Sequence, residues 1–142
     1  MMDMSNIDGY WHDSIQLDYV YTLGVAGERF FRETLNGRIM ATRCDECNRA
    51  YLPPRIYCSR CFKRLDGWVE VERRGIIYSY TYVSGNKGYV FYTLVKFIGV
   101  DGGLICRVVN ASPDIKIGMQ VTVDIVNRDG MVEFVVDMQS SK

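Results

Sequence analysis

Two cysteine pairs with the same short spacing constrain this chain more than any other feature. Cys44-Asp45-Glu46-Cys47 is followed, after ten residues, by Cys58-Ser59-Arg60-Cys61. Two thiolates at this spacing can grip one ion from a tight knuckle. Two such knuckles at the tips of a short hairpin complete a tetrahedron. Disulfides are the weaker reading in a chain without a secretion signal. Tetrahedral sulfur suits zinc and iron alike, so a rubredoxin-like electron carrier has to be weighed against a structural zinc site. The residues after the knuckles are Asn48 and Phe62. A glycine there would best take positive φ and turn amides toward sulfur; Asn tolerates that conformation and Phe does so reluctantly. This favours zinc. Four thiolates leave no open coordination position, so the ion is expected to be structural.

The rest of the composition narrows the field. The chain has 142 residues, 48% hydrophobic and 24% charged, enough for one ordinary domain or two small modules sharing a core. Its apolar runs fall far short of the roughly 20 residues a membrane span needs. The stretch from Met1 to Ser14 carries Asp3, Asp8 and Asp13, the wrong charge for a signal peptide, and a cytoplasmic location is expected. His12 is the single histidine. Every histidine-based mechanism would have to run through it, and no partner for it is identifiable. The reading is that the chain is not an enzyme. Charge is unevenly spread. Residues 1–37 hold two Lys/Arg against six Asp/Glu, residues 38–74 nine against five, and residues 75–142 six against six. A tetrathiolate zinc site adds about −2 to the basic middle, which leaves no strongly basic nucleic-acid footprint.

The pattern predicts a mainly β protein in three parts. Residues 1–37 form an N-terminal extension, with an extended segment over Ile15–Tyr21 and a helix over about 26–35, ended by Asn36-Gly37. Residues 38–66 form a rubredoxin-like zinc ribbon. Residues 67–142 form a five-stranded OB-fold barrel, with strands over Ile76–Val83, Tyr89–Val100, Leu104–Val109, Val121–Val126 and Val132–Met138. Ser84–Gly88 reads as a flexible hairpin loop, and Asp101-Gly102-Gly103 and Arg128-Asp129-Gly130 as tight turns. Gly75 lies where a bulge or bend would let a long strand turn a barrel corner.

Other residues have a plain reading and a functional one. Cys106, mid-strand, is expected to be a small core residue rather than a nucleophile. Tyr78, Tyr80 and Tyr82 fall on one face by alternation, with Tyr92 able to join them; packing is favoured over a stacking platform for bases or an adenine. Lys87, Lys96 and Arg107 are candidates for a phosphate. Between the knuckles, Tyr51-Leu52-Pro53-Pro54-Arg55 stiffens the module, with Arg55 as a candidate anion or partner contact. Phe30 and Phe31 are adjacent and cannot point the same way, so one is expected to meet the core and the other to be an exposed anchor.

These residues together resemble one family. The run Arg29-Phe30-Phe31, Gly37-Arg38, Arg43-Cys44-x-x-Cys47, Tyr51-Leu52-Pro53-Pro54-Arg55, Cys58-x-x-Cys61, Gly75-x-Ile77-Tyr78-Ser79-Tyr80 and Ile117-Gly118 is similar to the zinc-ribbon plus OB-fold family catalogued as domain of unknown function thirty-five. Phe62 departs from the glycine common there. The resemblance covers nearly everything after about residue 19. It implies that Cys44, Cys47, Cys58 and Cys61 bind the metal. It also implies a non-catalytic accessory or scaffold protein in acyl-CoA metabolism, partnered with a thiolase-superfamily enzyme, in archaea together with HMG-CoA synthase. The resemblance carries over no CoA-contact residue; from their own chemistry, Arg55, Tyr82, Tyr92, Lys96 and Arg107 are the candidate contacts for acyl-CoA. The rival reading is a single-stranded nucleic-acid binder, which the neutral charge of residues 75–142 disfavours.

Overall fold

The computed structural model describes residues 14–111 and 114–139; His12 and Trp11 lie outside them. Ile15–Tyr21 forms no strand, and its apolar side chains are exposed. Alternation without a partner strand is not enough to hold an extended segment in a sheet. Helix α1 spans Gly24–Leu35, starting two residues before the expected position. The Gly24 N–H donates to the Thr22 hydroxyl at 3.1 Å, which supports the earlier start. The helix ends where Gly37 turns to φ +79° and donates to the Thr34 carbonyl at 2.9 Å. Among the described residues, no helix is long and apolar enough to cross a membrane.

The strands are β1 (Met40–Cys44), β2 (Arg49–Leu52), β3 (Gly67–Glu70), β4 (Arg74–Gly85), β5 (Gly88–Phe97), β6 (Asp101–Gly102), β7 (Leu104–Val109), β8 (Gln120–Arg128) and β9 (Met131–Asp137). The first sheet has the order β3-β1-β2-β6. It contains the ribbon, and Gly67–Glu70 pairs with β1 within it. The remaining strands close a barrel in the order β4-β5-β7-β9-β8, with β7 and β9 parallel. That is the Greek-key closure of an OB fold. All five expected barrel strands are present.

The turns follow from residue chemistry. Asp129 and Gly130 both take positive φ, at 53° and 82°, and join Arg128 to its partner Met131 in a two-residue hairpin of the primed kind. The Ser84–Gly88 loop is tighter than expected: Gly85 pairs with Gly88, so only Asn86 and Lys87 form the turn. Asp101-Gly102 is not a turn. It is a short strand, parallel to β2, with Tyr51 opposite Asp101 and Leu52 opposite Gly102.

That short strand is the seam between ribbon and barrel. The Gly103 N–H donates to the Leu52 carbonyl at 2.9 Å, and Arg49 pairs with Asp101 at 3.1 Å. A Cβ on Gly102, at φ +99°, would stand 2.0 Å from the Leu52 oxygen, and one on Gly103 would stand 2.4 Å from the Val95 oxygen. Only glycine permits backbones this close. Ile39, Ala41, Ala50 and Leu52 from the ribbon share one apolar core with Ile77, Val95, Cys106, Val123 and Val136 of the barrel. Phe30 of α1 packs against the same core and stacks obliquely on Phe134, with centroids 6.0 Å apart. Phe31 is half-buried, not an exposed anchor.

Gly75 also permits close approach, and the bulge lies elsewhere. A Cβ on Gly75 would be 2.4 Å from the Val95 side chain, whereas the register slips between Ile77 and Ser79, leaving Tyr78 as the extra residue.

Gly102→Ala is expected to cost at least about 2 kcal/mol, because it combines positive φ with a backbone clash. Gly99→Ala is the control. Gly99 has φ +80° but open space around a Cβ, so it should cost about 1 kcal/mol. Denaturant unfolding of both variants measures the difference; equal costs would contradict the close approach assigned to Gly102.

Candidate metal centre and the residues around it

The four knuckle cysteines converge. The Sγ atoms of Cys44, Cys47, Cys58 and Cys61 all lie within 4.8 Å of one another, and those of Cys44 and Cys61 are 3.6 Å apart. A tetrahedral site with zinc–sulfur bonds near 2.3 Å has sulfur–sulfur edges of about 3.8 Å. The donor set therefore fits Zn²⁺, and its four thiolates would hold the ion with no open position. The ion supplies folding energy and fixed geometry when bound.

Local structure explains how the chain brings these atoms together. The first knuckle joins β1 to β2. The second is a small hairpin in which Tyr57 bridges Arg64, and the Cys58 N–H donates to the Lys63 carbonyl at 2.9 Å. Asn48 takes the left-handed conformation it tolerates, at φ 50°, and Phe62 takes it too, at φ 60°, so its reluctance does not set the second knuckle apart from a glycine-containing one. Asn48 is braced by Arg43, whose guanidinium donates to its side-chain oxygen at 2.7 Å. Phe62 has no such help from its ring, which is 77% exposed. A Lys63–Glu46 ion pair ties one knuckle to the other.

Tyr51 was not singled out as a metal-site residue. Its hydroxyl donates to the Cys58 sulfur at 3.2 Å and accepts from the Ser59 hydroxyl at 3.3 Å. That bond and backbone N–H groups of the knuckle hold the Cys58 thiol down to about 6. Cys47 is pushed the other way, to about 12, chiefly by its bond to the Cys61 thiol and also by burial. The cluster thus favours one thiolate on its own and resists the next. A dication reverses that resistance. Cys106 is fully buried in the barrel, where desolvation pushes its thiol to about 12. It is the core residue its strand position implied.

The proposed acyl-CoA contacts do not form one site. Thr81 is paired with Tyr92 and Tyr82 with Phe91, so Tyr82 and Tyr92 lie on opposite faces of the β4–β5 ladder. Tyr82 packs edge-on to Tyr89, with centroids 5.2 Å apart, and leans on Phe91. The bulge at Tyr78 shifts the alternation, so Tyr78 faces away from Tyr80 and Tyr82, and the single tyrosine face expected from spacing is split. Nor are these tyrosines packed away; Tyr78, Tyr80 and Tyr82 are all exposed. Lys96 sits over the Tyr78 ring, its Nζ 3.7 Å from the centroid. Arg107, opposite Tyr92, is committed to Glu133 through a two-pronged pair across β7 and β9. Arg55 lies apart from all of these. Its backbone N–H donates to the Thr42 hydroxyl at 2.9 Å, and its guanidinium stacks over Tyr51 in a cleft beside α1.

Comparison with known proteins agrees with this geometry. Residues 34–66 match the ChsH2 rubredoxin-like zinc ribbon domain. The chain has the zinc-ribbon and OB architecture of the DUF35 family. A protein of unknown function from that family in Sulfolobus solfataricus is 27% identical, over 80% of this chain and 85% of that one, with a TM-score of 0.64. A second solved structure, an Ltp2–ChsH2(DUF35) aldolase, shares the fold at 24% identity, over 78% of this chain and 91% of that one, with a TM-score of 0.66. A search of curated proteins finds no match.

Protein purified without added metal is expected to carry about one zinc per chain and to release it on acidification, because each thiolate must stay deprotonated to bind. Phe62→Gly should relieve about 1 kcal/mol of left-handed strain and slow zinc loss to a chromogenic chelator. Equal or faster loss would contradict the strain.

Proposed function

We propose that this protein is a non-catalytic accessory subunit that docks on a thiolase-superfamily enzyme and helps hold its acyl-CoA. One observation carries the docking part. Seven large apolar side chains between Ile15 and Val25 are each more than half exposed, and Val20 is fully so. The outer end of the β4–β5 hairpin adds Tyr82, Val83 and Tyr89. Apolar surface on this scale, with tyrosine anchors, marks a surface meant for a partner. The DUF35 architecture supports the choice of partner, because a neighbour with the same fold is named for both Ltp2 and ChsH2 (DUF35) as an aldolase.

Chemistry is assigned to the partner. The metal cluster is closed, and Cys106 is sealed in the core. Arg107 and Lys96 are engaged with Glu133 and Tyr78. A role for HMG-CoA synthase as a second partner follows from the resemblance alone.

Co-expression with a thiolase-superfamily enzyme from the same source, followed by size-exclusion chromatography, tests this. Co-elution is expected. It should be lost when residues 14–21 are deleted, while zinc content and barrel unfolding stay unchanged. Separate elution of the intact proteins, with and without acyl-CoA, would contradict the proposal.

A further inference from the structure

A cleft of about 230 Å³ opens between the first turns of α1 and the second knuckle. Three arginines line it, Arg29, Arg55 and Arg64, against one acidic residue, Asp66. The lining therefore carries a surplus of two positive charges. Asp66 is already paired with Arg64 at 3.3 Å. Arg29 and Arg55 have no ion pair among the described residues. Each rests on an aromatic ring instead: Arg29 lies 4.6 Å above Trp68, and Arg55 lies 5.4 Å from the Tyr51 centroid. The nearby carboxylates of α1 are occupied elsewhere, Glu28 by Arg32 and Glu33 by Arg38.

Ring stacking leaves the guanidinium N–H groups free to donate at the edge, and it holds the planes in place. Two such forks, with the Arg64–Asp66 pair beside them, suit the oxygens of a doubly charged tetrahedral anion better than one carboxylate, which would offset only half the surplus. We propose that this cleft binds a phosphate group. Two sources share that chemistry, a free phosphate compound and the phosphorylated nucleotide end of CoA. The second source rests on the function proposed above; the first does not.

Two of the three arginines, and the ring beneath the third, belong to the ribbon sheet and its second knuckle. Arg55 and Arg64 flank the second knuckle, and Trp68 is on β3, held to β1 opposite Thr42. Arg29 alone comes from the helix.

Isothermal titration of the zinc-loaded full-length protein tests the proposal, with inorganic pyrophosphate, CoA and pantetheine as separate probes. Pyrophosphate and CoA are expected to bind in a salt-sensitive manner, and pantetheine is not. Arg29→Gln and Arg55→Gln should each weaken binding about tenfold. Asp66→Asn, which removes the one carboxylate, should tighten it severalfold, a gain that a misfolded variant cannot produce. Pyrophosphate binding with these responses but no CoA binding upholds the cleft and removes the acyl-CoA reading. CoA binding that ignores all three substitutions overturns the cleft and leaves that reading standing. Absence of binding by both phosphate probes overturns the proposal.

Discussion

The four-sulfur cluster is the constraint on which the ribbon depends. Around it the ribbon has only a small core of its own: Cys44, Tyr51, Cys58 and Leu65, with Cys47 and Cys61 at its edge. Two of the four core residues are metal donors, and a third, Tyr51, is bonded to one of them. So little apolar burial cannot fix two tight knuckles, one of which holds Phe62 in a left-handed conformation. The ion supplies what burial lacks.

What the metal organises is passed on through backbone. Strand β2 leaves the first knuckle and ends at Leu52, whose carbonyl accepts from Gly103 across the seam. Strand β1, on its other side, carries Trp68 through β3. The cleft of arginines and the barrel are thus positioned by the same few strands. The barrel in turn supplies most of the apolar core that the ribbon shares. This division is compatible with the accessory role proposed above: the knuckle thiols converge on one closed four-sulfur site and Cys106 is sealed in the core.

The sequence was most informative where local chemistry decides the outcome. The Cys-x-x-Cys spacing defined the cluster, and Asn48 was legible as a left-handed position, whereas the Phe62 side chain argued against that conformation and adopts it all the same. Five strands were visible because apolar residues alternate on a closed barrel. Legibility failed where a distant partner decides. The tyrosine face looked continuous because alternation carries no sign of the one-residue bulge at Tyr78. Arg107 looked available because Glu133, 26 residues later, becomes its neighbour only through the parallel β7–β9 pair. Asp101-Gly102-Gly103 looked like a turn because its two glycines serve a close backbone approach, which has the same residue signature. The stacking of Arg29 on Trp68 left no trace in either local segment.

The central claim is that zinc fixes the ribbon and, through the ribbon, the seam. Amide hydrogen exchange with and without chelation tests it most directly, with the Gly103 amide as reporter. This amide lies outside the ribbon motif and is bonded to Leu52. Removing zinc is predicted to speed its exchange together with the β1–β2 amides, while the β8–β9 ladder stays protected. A Gly103 amide that remains as protected as before, with loss confined to the knuckles, would contradict the account.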